Sequence, residues 1–286
     1  MDKLELKAYG KINLGLDVIR KRPDGYHDLD MVMQMVDVYD DVILTQIEGT
    51  EIVVRTDTAV LSNGTDNLAY MAARMLMDEF GITQGLEITI KKRIPIAGGM
   101  AGGSSDCAAT LKGVNQMFDL GLSKEELMER GVRLGADVPY CILGGTAIAR
   151  GIGEILTPLP TPPECHVIIA KPPVSVSTAF VYGNIRPDKI ERRPDIEAMV
   201  SAIKTQDLYK LAESLYNVME DITVPQYPII QEIKTVMLDN GALNSIMSGS
   251  GPTVFGLYDD IEKAGQTVEL LKAKELTEQL YLTKFI

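Results

Sequence analysis

Residues 95–105 read Pro-Ile-Ala-Gly-Gly-Met-Ala-Gly-Gly-Ser-Ser, with Gly98, Gly99, Gly102 and Gly103 inside six positions. Glycine averages about 7% of residues, so the cluster is not background. Upstream, Leu86, Ile88 and Ile90 alternate with Glu87, Thr89 and Lys91 as in a half-buried strand, and a helical pattern begins near Ser104. Strand, glycine loop and helix in that order are the context a phosphate site needs. They make a local anion site, where backbone N–H groups converge, the helix dipole assists, and Ser104 and Ser105 offer hydroxyls to phosphate or Mg2+. A tight turn before a serine-capped helix is the plainer reading. Gly98 and Gly103 have P-loop spacing, yet Ser-Ser follows where a P-loop has Lys-Ser/Thr. The loop holds no G-x-G-x-x-G, and the protein-kinase H-R-D and D-F-G signatures are absent.

Any phosphate has to be held locally, because 28 Lys and Arg against 40 Asp and Glu give a net charge of −12. That balance disfavours nucleic acid and anionic membranes as partners. Cys107, Cys141 and Cys165 lack C-x-x-C spacing and leave one over if two pair, and His27 and His166 are the only histidines. A disulfide framework, a cysteine-rich zinc site and histidine-rich metal chemistry are therefore excluded. Residues 1–7 alternate charged and apolar side chains and no run of 18 apolar residues occurs, which predicts a cytoplasmic protein.

At 286 residues the chain is long enough for two domains. The first 60 residues read as strands, and Leu68, Met71, Ala72, Met75 and Leu76 then follow helical spacing, with Asp66 as the candidate cap and Gly81 as the stop. Ser123-Lys124-Glu125-Glu126 is a capping box. Four prolines between Thr157 and Pro163 mark a linker, giving domains 1–157 and 158–286. The second half alternates strand and helix: a strand at 166–170, helices within 194–220 and 228–240, strands near 243–247 and 253–258, a helix from Asp260 and a last strand near 280–285. A second glycine loop, Ser248-Gly249-Ser250-Gly251-Pro252, lies between two of these strands, where a hairpin turn is the ordinary meaning.

Ala8-Tyr9-Gly10-Lys11-Ile12-Asn13-Leu14, the loop at 95–105 and Ser248 to Pro252 resemble, in order and across almost the whole chain, the three motifs of the galactokinase, homoserine kinase, mevalonate kinase and phosphomevalonate kinase (GHMP) superfamily. Arg22-Pro23-Asp24-Gly25-Tyr26-His27 and Gly135-Ala136-Asp137-Val138-Pro139 are more specific, and resemble the 4-diphosphocytidyl-2-C-methyl-D-erythritol kinases within it. The resemblance implies a two-domain α+β fold with the active site in the interdomain cleft. It implies ATP- and Mg2+-dependent phosphorylation of the 2-hydroxyl of a cytidine diphosphate-linked methylerythritol, a step of isoprenoid precursor biosynthesis. By the same resemblance Pro95, Ile96, Ala97, Gly98, Gly99, Met100, Ala101, Gly102, Gly103, Ser104 and Ser105 hold the ATP phosphates, and Lys11 and Asp137 are the catalytic pair. Asn13, Tyr26, His27, Thr178 and Tyr182 bind the substrate, with Tyr26, His27 and Tyr182 on the cytidine. Protein ligands of the metal stay open, as does the choice between monomer and homodimer. The loop departs from its common form at Met100-Ala101 and at Asp106-Cys107; neither change removes an amide, and Asp106 adds a negative charge by the helix start.

The residue types agree with these roles and also admit plainer ones. Phosphorylating an alcohol needs a group to take its proton and cations to offset transition-state charge. Asp137 suits the first task, but also suits a solvated turn. Lys11, in an apolar strand, either pairs with a carboxylate or snorkels from a sheet edge. Tyr26 and His27 offer a stacking surface, or are exposed turn residues. His166 reads as structural, and the fourteen methionines as core filling. Homoserine or mevalonate phosphorylation, and nucleotide binding without catalysis, are the alternative functions.

Overall fold

A computed structural model describes residues 2–286, and in it the glycine loop joins a strand to a helix. In chain order the elements are β1 (Lys3–Lys21), β2 (His27–Ile47), β3 (Ile52–Thr56), α1 (Leu68–Glu79), β4 (Gly85–Lys91), α2 (Gly102–Met117), α3 (Lys124–Gly131) and α4 (Val138–Leu143). Then come β5 (Thr146–Gly151), β6 (Ile155–Leu159), β7 (His166–Lys171), α5 (Thr178–Asn184), α6 (Ile196–Lys204), α7 (Leu208–Ser214), β8 (Tyr216–Asn217) and α8 (Glu220–Gln226). The chain ends with α9 (Ile229–Asp239), β9 (Asn244–Met247), β10 (Val254–Tyr258), α10 (Ile261–Ala273) and β11 (Gln279–Lys284). This is the expected α+β class.

The chain forms two compact units, one of residues 2–10, 38–96 and 101–144, the other of residues 11–37, 97–100 and 145–286. No single cut divides them, because β1 and β2 each contribute to both. The proline stretch read as a linker begins as strand, since β6 pairs antiparallel with β5 and sets Pro158 opposite Ala147. Proline is tolerated there because β6 has no second neighbour to require its missing N–H.

In the first unit β3 runs parallel to β4, and β4 antiparallel to residues 41–47 of β2. Leu44, Leu76, Leu86, Ile88, Ile90 and Leu111 are fully or almost fully buried and make its core, with α1 and α2 packed together. Close approach of α2 to the sheet depends on Gly113, where a Cβ would sit 2.4 Å from Leu44 Cδ1. Asn67 rather than Asp66 caps α1, accepting from the Ala69 N–H at 2.9 Å, while Ser123 and Glu126 form the expected capping box on α3.

In the second unit β11, β7, β10 and β9 form an antiparallel sheet in that order, and β10 is buried along its length. Residues 29–34 of β2 pair with β5, and β8 pairs parallel with β1, Gly15 opposite Tyr216. Residues 11–18 are buried without a break, so this part of β1 is interior strand.

Candidate active site

Backbone dihedrals explain what the glycine loop is for. Ala97, Gly99 and Ala101 have positive φ of 51°, 75° and 57°, while Gly98 and Met100 between them do not. Alternating left- and right-handed residues turn successive N–H groups to one side, a nest that binds anions. Two of the three left-handed positions are alanines, which adopt that conformation at a cost of about 1–2 kcal/mol each. The nest ends at α2, whose N-cap Ala101 supplies no side-chain cap and whose first turn holds no acid. Its first N–H groups and the positive helix end are therefore left for an external anion. Ser105, in that turn, is buried and donates from Oγ to the Tyr9 carbonyl at 2.5 Å.

The second glycine loop does two jobs. It is the turn between β9 and β10, closed by the Ser248 N–H on the Thr253 carbonyl at 2.8 Å, and it also seats the centre of the first loop. Ser248 Oγ donates to the Gly99 carbonyl at 3.0 Å, and a Cβ on Gly99 would lie 2.2 Å from the Ser248 carbonyl oxygen, so only glycine fits. Buried Asn217 fixes this loop, its Nδ2 donating to the Met247 and Gly249 carbonyls at 2.8 Å each. Sequence reasoning passed over Asn217; the available signal was a lone amide inside the apolar run from Leu215 to Met219.

β1 lies between β2 and β8, but β8 pairs with it only at Gly15 and Leu16, so the burial of Lys11 does not come from β8. The backbone N–H of Lys11 donates to the Met100 carbonyl at 3.1 Å, so it is tied to the glycine loop. Lys11 is 4% exposed and its ammonium donates to Asn13 Oδ1 at 2.7 Å; among the described residues it forms no ion pair. Asn13 is fully buried and contacts Met31 Sδ through Nδ2 at 3.4 Å. A buried ammonium with no ion-pair partner, on a residue whose backbone is tied to an anion nest, suits a phosphoryl group.

In the first unit, Asp137 is the N-cap of α4, half-buried, and its carboxylate makes no capping hydrogen bond. The start of α4 lies by the start of α2: Ser105 Oγ is 3.3 Å from Cys141 Sγ, and a Cβ on Gly135 would be 3.7 Å from Ser104 Oγ. Asp137 is thus a carboxylate left free on the same flank as the serines of the loop. Asp106, whose charge the sequence places by the helix start, is buried and paired with Lys92 at 2.7 Å.

Of the cytidine candidates, His27 and Tyr182 come together, with ring centroids 5.2 Å apart and planes at 31°. Burial, and then the Lys21 charge, lower the His27 pKa, which keeps the imidazole neutral near pH 7. Tyr26 is 59% exposed, on a turn held by the Arg22 N–H to the Tyr26 carbonyl and by Arg22 ion pairs to Asp24 and Asp28. Much of the Arg22 to His27 motif is therefore turn-building. Thr178 Oγ1 lies 3.0 Å from Ser250 Oγ, at the second glycine loop.

These elements match known proteins along the whole chain. Residues 67–145 match the GHMP kinases N terminal domain, and residues 199–274 the GHMP kinases C terminal domain. A 4-diphosphocytidyl-2-C-methyl-D-erythritol kinase of Lachnoclostridium phytofermentans is 49% identical over 285 residues, covering 100% of this chain and 98% of that protein. One of Lachnospira eligens is 46% identical, with 99% of each chain covered. A crystal structure of 4-(cytidine 5'-diphospho)-2C-methyl-D-erythritol kinase superposes with a TM-score of 0.83 at 30% identity, covering 99% of both chains.

Proposed function

The chain belongs to the GHMP kinases, and from that premise we propose how it transfers the γ-phosphoryl group of ATP to the 2-hydroxyl of 4-diphosphocytidyl-2-C-methyl-D-erythritol, giving the 2-phosphate and ADP. The reaction belongs to isoprenoid precursor biosynthesis. The observation that carries the nucleotide assignment is the nest at 97–101 running into the uncapped start of α2. Its N–H groups hold the phosphates of ATP, and Lys11 offsets charge on the transferred phosphoryl oxygens. Asn13 orients the Lys11 ammonium through their 2.7 Å hydrogen bond and shares in holding the substrate. Asp137 accepts the proton of the substrate hydroxyl, the oxygen forms its bond to the γ-phosphorus, and the bond from that phosphorus to the bridging oxygen breaks as ADP leaves.

Mg2+, when bound to the nucleotide, neutralises phosphate charge. Among the described residues no group of three or more His, Cys, Asp or Glu is placed to cage a metal. That donor set fits an ion held chiefly by phosphate oxygens and water, to which the Ser104 and Ser105 hydroxyls would be the candidate protein donors. His27 and Tyr182 present a neutral aromatic pair for the cytosine ring, Tyr26 closes over it from its exposed turn, and Thr178 offers a hydroxyl to the polar part of the substrate.

The test is ADP release from Mg-ATP with the diphosphocytidyl alcohol, against mevalonate, homoserine and galactose, with Asp137→Ala as control. Turnover only with the cytidine compound, abolished in the control, is the expected result. Turnover with another alcohol overturns the cytidine pocket, and nucleotide binding without turnover overturns catalysis.

A further inference from the structure

The two ends of the 95–105 loop are tied to one buried charge cluster. Lys92 precedes the loop, Asp106 follows it directly, and Asp40 comes from β2; all three belong to the first unit. The side chains of Lys92, Asp40 and Asp106 are 6%, 0% and 4% exposed. Lys92 Nζ donates to Asp106 Oδ2 at 2.7 Å and also to Asp40 Oδ2. Asp40 Oδ1 accepts from the backbone N–H groups of Arg93 at 2.5 Å and Ile94 at 2.8 Å, the residues leading into Pro95. On the far side of the loop, a Cβ on Gly102 would be 3.3 Å from Lys92 Nζ and 3.2 Å from Ile94 Cγ2, so the first residue of α2 rests on this cluster.

We propose that Asp40, Lys92 and Asp106 are positioning residues for phosphoryl transfer, a clamp that holds both ends of the loop so that its N–H nest is formed before nucleotide binds. The proposal rests on residues 95–105 being the phosphate loop. A nest with two left-handed alanines opens to relaxed conformations unless its ends are fixed, and each such opening subtracts from ATP affinity. Simple core stability would not require an ion cluster here, since buried ion pairs seldom outperform apolar packing. Asp106 Oδ1 has no hydrogen-bond partner. Burial, opposed by Lys92 and assisted by Asp40, pushes the Asp106 carboxyl up to about 8, so near neutrality the cluster carries one cation, one anion and one proton-bearing acid, with no net charge.

Asp106→Ala is the informative variant, because Lys92 keeps Asp40 and no buried charge is orphaned. Amide hydrogen exchange and steady-state kinetics are read on wild type, Asp106→Ala and Asp106→Asn. The expected result is faster exchange at 95–105 in Asp106→Ala without nucleotide, and a KM for ATP raised about tenfold or more. KM for the alcohol stays within about twofold and kcat within about threefold, and Asp106→Asn, which keeps an acceptor for Lys92, returns KM for ATP close to wild type. Should the alanine variant not fold, Asp106→Leu fills the volume without an acceptor and carries the same expectation. Unchanged exchange and KM for ATP in the folded variant overturn the clamp alone. Failure of Mg-ATP to protect 95–105 in wild type overturns the phosphate-loop reading beneath it.

Discussion

A buried ammonium without an ion-pair partner is costly, and among the described residues Lys11 has none. Its replacement by methionine separates function from stability. Lys11→Met is expected to lower kcat by about 10²–10³-fold, the usual loss on removing one electrostatic contact to a transition state. Thermal denaturation should show a midpoint close to wild type, since removal of a buried charge offsets the loss of the donor to Asn13 Oδ1. Unaltered kcat would remove Lys11 from the chemistry. Asp106 makes a prediction of opposite character. Its folded pKa, about 8, lies above the ordinary carboxylate value of 3.8, so the folded form keeps a proton that the unfolded form releases. This contribution to stability is fully present below about pH 4 and is lost progressively as pH rises toward about pH 8. Asp106→Asn has no such slope; its melting temperature should gain on wild type steadily from pH 5 to pH 8, as calorimetry across about that range will show. A constant difference would mean that Asp106 is ionised in the folded protein throughout. The motifs single out Lys11 and Asp137 as candidates, but the surroundings the fold gives them were not legible. The backbone partner of Lys11 is the Met100 carbonyl, far along the chain, a contact that no local pattern reveals.

At the scale of elements, what was legible depended on how local the cause was. The Ser123 capping box and the Asp260 start of α10 are decided by side chains within three residues, and both form as read. The strand, glycine loop and helix sequence was equally plain, because glycine spacing and apolar period are local signals. The strand that opens the proline-rich stretch was not legible, because edge pairing of β6 with β5 is a contact no spacing reveals. The bracing of one glycine loop by the other was likewise invisible until Ser248 and Gly99 were seen in contact. Asn217 is the element-scale test of that bracing. Asn217→Ala leaves the Met247 and Gly249 carbonyls without their buried donor, and should cost about 2–4 kcal/mol in urea unfolding. A loss under about 0.5 kcal/mol would mean that the loop holds its shape unaided. Gly99→Ala, which drives a methyl toward the Ser248 carbonyl, should reduce kcat/KM for ATP by about 10²-fold or more, measured by ADP release.

For the whole molecule, a net charge of −12 and a phosphate-bearing substrate make opposite demands. In the function proposed above they are met by a nest, a helix end and buried Lys11 instead of a basic face. Mg-ATP should therefore stabilise the folded chain by mass action, by about 2.7 kcal/mol at a hundred times its Kd, while polyanions such as heparin leave the melting temperature unmoved. No helix of the described residues is long and apolar enough to cross a membrane. The division into two interleaved units was not readable from composition, because β1 and β2 run through both without a break in pattern. The kinase assignment itself is tested most directly by phosphorus-31 NMR of the protein incubated with Mg-ATP and 4-diphosphocytidyl-2-C-methyl-D-erythritol. The expected spectrum gains one phosphomonoester resonance, on the carbon-2 oxygen, in one-to-one proportion with ADP. ADP accompanied by inorganic phosphate and no ester, or no loss of ATP, would contradict it.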